Sequence, residues 1–412
     1  MASAETQGKA GDSPGPLVQG GRTERLLLAM APVKDVLSAF CEESKGGGGS
    51  AEDRLGIFAQ DAFAALVEPP WDDPFGPSDR YLKQLVNRFV RLVEGTERTD
   101  LSSDALAGLL ARASLVPAGS GAPDPLASCY LSFFLDRDGG PGGDGPVFSL
   151  HPLRIRVFPD HNDVALRLWE AGSVLAEYLA EHREIASGRA LLELGSGCGA
   201  TGLVAAAACG PKSVHLTDYT EACRLNLEHN LLVNREWVER HGFSPGKITQ
   251  GYLEWKSFLE DYAAHAAASS GGDGDQPDAA NGPAANADAN ADANADASPS
   301  DGATMKAFLE ADVLLAADVI YDINAIDDLV HVVKYFLSES PDSKQAIIAS
   351  TKRNSATFEF FLETIAKYGM LYTWIARGED CEALPRIFEG NFVQERRDVS
   401  ICRIHTASFR ES

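Results

Sequence analysis

Glu193-Leu194-Gly195-Ser196-Gly197-Cys198-Gly199-Ala200-Thr201-Gly202 closes the apolar run that begins at Ala190 and opens onto a second apolar stretch ending at Cys209. A short buried strand that ends on glycines and runs directly into a helix is the opening unit of a doubly wound α/β sheet. Glycines let the backbone come close to a ligand, and the free N–H groups of the helix that follows suit a polar or anionic end.

Working outward, strand-like runs fall at 190–194, 213–217, 247–253, 312–317, 345–350, 370–375 and 399–404, with helical patterns after the first, second, fourth and fifth. That alternation predicts a Rossmann-like, doubly wound, seven-stranded sheet with an antiparallel last strand. Upstream, helical spacing runs from Thr23 through Leu26, Met30, Val33, Leu37 and Phe40, and again after Ser78 and after Ser102-Ser103. SCYLSFFL (128–135) and LRIRVF (153–158) flank a glycine-rich turn around Gly139 to Gly145 and read as a β-hairpin. The expected organisation is a disordered tail at 1–21, an α-helical N-terminal extension at 22–116, the hairpin at 125–160, and the α/β domain at 161–408. A disordered insertion is expected at 266–304, where the repeat NADANADANADA lies and where the acids are unaccompanied by any Lys or Arg.

Composition narrows the function classes. Lys+Arg 36 against Asp+Glu 60 gives a net charge of -24, so nucleic acid is not the expected partner. Seven cysteines contain no CxxC pair, which predicts a reducing compartment and no metal site. No apolar run approaches the roughly 20 residues of a membrane span, and the N-terminus lacks an apolar signal core, so a cytoplasmic protein off the membrane is expected. A monomer is expected as well.

Open α/β sheets bind ligands at the carboxyl ends of their strands, and several side chains are placed there. Read from Gly195 the turn is GxGxG, which suits the amino-acid end of S-adenosylmethionine; read from Gly197 it is GxGxxG, the dinucleotide pattern. The turn alone does not choose. Asp218, ending the second strand, is placed to accept hydrogen bonds from ribose hydroxyls in either case. Trp255 after the third strand can pack on an adenine face, and Ala316-Ala317-Asp318-Val319-Ile320-Tyr321 ends the fourth.

Taken together, Trp169 on the helix before the sheet, ELGSGCGATG, the Thr217-Asp218 pair, Leu253-Glu254-Trp255 and ADVIY at 317–321 resemble the seven-β-strand methyltransferases that modify lysines of non-histone proteins. Pro69-Pro70, Tyr81-Leu82, the helix from Asp104 and Thr351-Lys352-Arg353-Asn354 are similar to the elongation factor 2 lysine methyltransferase branch. The resemblance implies an S-adenosylmethionine-dependent enzyme acting on a protein substrate, elongation factor 2. It also implies a cofactor site lined by Trp169, Glu193, Gly195, Ser196, Gly197, Asp218, Trp255 and Ala317, with Asp318 and Tyr321 matching the family's DxxY signature as the catalytic pair. In this reading Asp318 receives or orients the incoming ammonium and Tyr321 packs beside it. Rival readings are a methyltransferase of a small molecule or RNA, a non-catalytic partner-binding protein that keeps the fold, and, weakest, a nicotinamide dehydrogenase.

Overall fold

The computed structural model describes residues 22–31, 33–43, 57–67, 75–95, 103–115, 126–135, 152–270, 302–388 and 395–410. The expected tail, the glycine spacer at 46–49, Pro69-Pro70, the hairpin turn and the NADA repeat lie outside the described residues. The chain divides into two units, 1–167 with 386–393, and 168–385 with 394–412.

The first unit is helical with a hairpin. Helices α1 (Arg22–Leu28), α2 (Val33–Glu43), α3 (Ile57–Val67), α4 (Asp79–Glu94) and α5 (Asp104–Leu115) enclose a core centred on Phe40, Phe63 and Phe89. Phe63 stacks on Phe89 at 3.7 Å between ring centres, and Phe40 meets both edge-on at 5.5 and 5.6 Å. The single helix expected from Thr23 is two, because Pro32 disfavours helical backbone at the residue before it and Met30 turns with φ 47°. Ser78 caps α4 by accepting from the Tyr81 N–H, and Ser103 does the same for α5 through Leu106. Strands β1 (Cys129–Phe133) and β2 (Leu153–Val157) pair antiparallel, Cys129 opposite Val157.

The second unit is the α/β sheet. Its elements run α6 (Glu170–Glu181), β3 (Ala190–Leu194), α7 (Ala200–Cys209), β4 (Ser213–Asp218), α8 (Glu221–Val233), α9 (Arg235–Arg240), β5 (Ile248–Tyr252), α10 (Trp255–Ser270), α11 (Gly302–Glu310), β6 (Val313–Ala317), α12 (Ile326–Ser338), β7 (Gln345–Thr351), α13 (Ser355–Lys367), β8 (Leu371–Arg377), α14 (Glu379–Glu382) and β9 (Val399–His405). Strand order is β5-β4-β3-β6-β7-β9-β8, with β3 to β7 mutually parallel and β9 antiparallel to both neighbours. The order reverses at β3, so the crevice outside its carboxyl end lies between the β4 and β6 sides of the sheet.

Two parts of this unit differ from the sequence reading. A helix, α10, follows β5 where none was expected, and both flanks of the insertion are helical: α10 runs on to Ser270, and α11 starts at Gly302. Thr304, inside the expected insertion, is buried and its hydroxyl lies 3.3 Å from His215 Nε2. Arg396 and Glu177 pair at 2.6 Å, 4% and 0% exposed, and the guanidinium also donates to the carbonyls of Cys381 and Leu384. That buried pair ties the β8–β9 connection to α6. Among the described residues no helix is long and apolar enough to cross a membrane.

Candidate active site

Beyond β3 the chain turns three times through left-handed backbone, at Gly195 (φ 60°), Gly197 (φ 54°) and Gly199 (φ 79°). At Gly195 a Cβ would stand 2.9 Å from Val319 Cγ1, and at Gly199 2.5 Å from Leu227 Cδ1, so the turn requires glycine for both backbone and space. Ser196 clips the turn to the next strand: its N–H donates to Thr217 O at 2.9 Å, and its Oγ accepts from the Thr217 N–H at 3.0 Å. From α8, Asn230 donates to the Cys198 carbonyl at 3.0 Å.

Asp218, at the tip of β4, is buried and accepts from Gly197 N at 3.0 Å and Tyr219 N at 2.8 Å. Burial pushes its pKa up, opposed by the hydrogen bonds from Gly197 and Tyr219. The Cys223 thiol and the Thr220 N–H also donate to this carboxylate.

Glu193 lies beneath the turn, pointing from β3 toward the first turn of α7. It is 2% exposed, and burial lifts its pKa to about 8 against the pull of the Thr201 hydroxyl and the Gly202 and Ser196 neighbours. Its Oε2 is a buried oxygen without a hydrogen-bond partner of good geometry. Gly202 leaves room for it, since a Cβ there would sit 3.0 Å from Oε2 and 2.3 Å from Leu216 Cδ2.

On the other flank of β3 the chain leaves β6 at Ala317 and turns at Asp318, which has φ 53°. A non-glycine residue there is strained, and five donors hold it. Asp318 Oδ1 accepts from Thr351 N at 3.0 Å and Arg353 Nη1 at 2.9 Å. Its Oδ2 accepts from Ala171 N at 3.1 Å, Thr351 Oγ1 at 3.1 Å and Arg353 Nη2 at 3.3 Å. The carboxylate is therefore an anchor between β6, β7 and α6.

Trp169 is not on the helix as expected: it is the extended residue before α6 (φ -106°, ψ 154°) and makes no side-chain cap. The cap comes from Asp318 through the Ala171 N–H. Arg353 lies over the indole, Cζ 4.8 Å from the ring centre, and also reaches Glu170 Oε2 at 2.9 Å. Trp255 opens α10, half-buried against the core cluster that holds Leu253 and Phe258, and Glu254 caps that helix by accepting from Ser257 N at 2.7 Å. Tyr321 is 59% exposed on the loop after β6.

The structure thus gathers Glu193, Gly195, Ser196, Gly197 and Asp218 around one turn, and Trp169, Ala317 and Asp318 on the facing side of β3. Sequence alone does not single out Glu170, whose only signal is its place beside Trp169, and it marks Arg353 only as part of Thr351-Lys352-Arg353-Asn354, without the part it plays.

Residues 151–268 match the family model described as lysine methyltransferase. The chain is 24% identical over 303 residues to the protein-lysine N-methyltransferase EEF2KMT of Mus musculus, covering 72% of each. It is 26% identical over 318 residues to the protein-lysine N-methyltransferase EFM3 of Chaetomium thermophilum, 76% of this chain and 79% of that one. EEF2KMT of Bos taurus is 28% identical over 351 residues, 84% and 87% of the two chains. Over these residues the chain is similar to lysine methyltransferases. Its cofactor is S-adenosylmethionine, and the methyltransferase's own geometry fits that group. The left-handed glycines clear a close approach, Glu193 puts a buried carboxyl oxygen without a well-aligned donor under the turn, and Asp218 puts a carboxylate at the strand tip.

Proposed function

We propose that this methyltransferase transfers methyl groups to a lysine side chain of a protein, and that the protein is elongation factor 2. The single observation that carries the reading is the continuous match, over 72% to 87% of their lengths, to relatives named protein-lysine N-methyltransferases. The likeness of Tyr81-Leu82 and Thr351-Lys352-Arg353-Asn354 to the elongation factor 2 branch supports the narrower substrate. With that substrate, the proposed site of action is the cytoplasm.

Bound S-adenosylmethionine supplies a sulfonium methyl for in-line displacement by an amine. The chain's own residues have three tasks. Gly195 to Gly197 and Glu193 hold the amino-acid end, Asp218 accepts from the ribose hydroxyls, and Trp255 packs against the adenine, with Trp169 and Ala317 closing the opposite side. Lysine, with an ordinary pKa of about 10.4, must lose its proton before it can attack, so the site has to admit the cation and then exclude water. Tyr321 at the rim covers the acceptor's aliphatic stem, and Asp318 fixes the floor of the channel instead of binding the ammonium itself.

The test is transfer of labelled methyl from S-adenosylmethionine in a cytosolic extract, with the Gly195→Ala variant alongside. One labelled protein band of elongation factor 2 size carrying methyl-lysine, absent with the variant, is the expected result. Label confined to small molecules or RNA would overturn it.

A further inference from the structure

Arg353 lies outside the strand-end signature, yet it touches three residues of the site. Its Nη1 donates to Asp318 Oδ1 and its Nη2 to Glu170 Oε2, both at 2.9 Å, while its guanidinium carbon lies 4.8 Å from the centre of the Trp169 ring. The two acids are buried, 5% and 4% exposed, and Arg353 is 33% exposed, so the guanidinium both neutralises them and covers them from water. Trp169 has no cap of its own, and the first turn of α6 is fixed from outside by Asp318.

We propose that Arg353 is a positioning residue for methyl transfer: it bridges Asp318 and Glu170, and in doing so locks the Trp169–Ala171 turn to the tips of β6 and β7. The proposal rests on the function argued above and names what aligns that site. Without the guanidinium, two buried carboxylates would face each other with no cation between them, and repulsion would swing the first turn of α6 and its indole outward. Methyl transfer depends on near-attack geometry, so a small displacement of that turn costs more in turnover than in affinity. A lysine at 353 supplies the charge but lacks the planar fork that serves both acids at once. Arg353→Lys therefore restores neutrality without restoring the bridge.

The experiment compares full-length wild type, Arg353→Lys, Arg353→Leu and the Glu170→Gln/Arg353→Leu double variant. S-adenosylhomocysteine binding is measured by calorimetry, and kcat and KM are measured for methyl transfer to protein. Arg353→Leu is expected to weaken binding by about tenfold and to lower kcat by a larger factor, on the order of a hundredfold. Arg353→Lys is expected to recover the affinity while kcat stays depressed, and the double variant to recover affinity relative to Arg353→Leu because the surplus buried anion is gone. Arg353→Leu with affinity and kcat both within about twofold of wild type would overturn the proposal. So would a double variant no better than Arg353→Leu, because the defect would then owe nothing to the acid pair. Wild type that binds S-adenosylhomocysteine but labels no protein would strike the functional reading alone, since the affinity comparison would still decide the role of Arg353.

Discussion

Arg353 grips Asp318 with both terminal nitrogens, Nη1 to Oδ1 at 2.9 Å and Nη2 to Oδ2 at 3.3 Å, at a residue whose own backbone is held at φ 53°. The acid that the DxxY signature marks thus clamps the end of β6 to the residues after β7 and to the start of α6. Asp318→Asn would put an amide N–H where a donor now points, and would leave Glu170 as the one carboxylate paired with Arg353. We expect a loss of about 1–3 kcal/mol of stability, at the lower end of what broken buried pairs cost because Arg353 is one-third exposed. Methyl transfer should fall by at least about a hundredfold. Chemical denaturation and steady-state kinetics on the same preparation check both.

Gly195→Ala tests the turn. The new Cβ would meet Val319 Cγ1 at 2.9 Å with the backbone at φ 60°, so the turn must open away from β6. A residue forced into left-handed backbone costs on the order of 1–2 kcal/mol before any clash is counted. Cofactor affinity should drop by more than about tenfold, read by calorimetry, while far-ultraviolet circular dichroism stays unchanged.

Glu193 predicts a pH dependence with a definite sign. Its pKa rises from an ordinary 4.5 to about 8 on folding, so the folded state binds its proton more tightly than the unfolded one. The resulting stabilisation is complete below 4.5 and is lost as pH rises through about 8. Glu193→Gln mimics the protonated acid and cannot titrate. Urea denaturation at pH 5 and pH 8.5 should show wild type losing stability across that interval. The variant should lose clearly less.

Trp255→Ala asks whether the indole at the start of α10 faces the adenine. Stacking of this kind contributes about 0.5–1.5 kcal/mol, so S-adenosylhomocysteine should bind roughly threefold to tenfold more weakly with the KM for the protein acceptor unchanged. Equal affinity in the variant would assign Trp255 to the core it touches beside Phe258.

Strands β3, β4 and β6 are legible because each is an apolar run stopped by a glycine or an acid, at Leu194-Gly195, Thr217-Asp218 and Ala317-Asp318, and those stops lie at carboxyl ends of strands, where open sheets bind ligands. What escapes the sequence is non-local. Trp169 reads as part of a helix because the carboxylate that meets the first turn of α6 is Asp318, 147 residues from the Ala171 N–H it accepts from, and no neighbour in sequence announces it. For the same reason Asp318 looks like an open carboxylate: Thr351, Arg353 and Ala171 reach it only once β6, β7 and α6 are assembled. Helix α3 is hidden since IFAQDAFAALV is apolar around most of its circumference and shows no single face. The insertion of β9 between β7 and β8 is a pairing choice that periodicity cannot encode.

Methylation of a protein lysine at this site is tested most directly on purified elongation factor 2. The factor, taken from cells lacking this enzyme, is incubated with S-adenosylmethionine and the wild-type chain, and then mapped by peptide mass spectrometry. The expected result is a mass gain in whole methyl increments on one lysine, reduced at least about a hundredfold with Asp318→Asn. An unmodified factor, under conditions where the wild-type chain binds S-adenosylhomocysteine, would contradict the proposed activity.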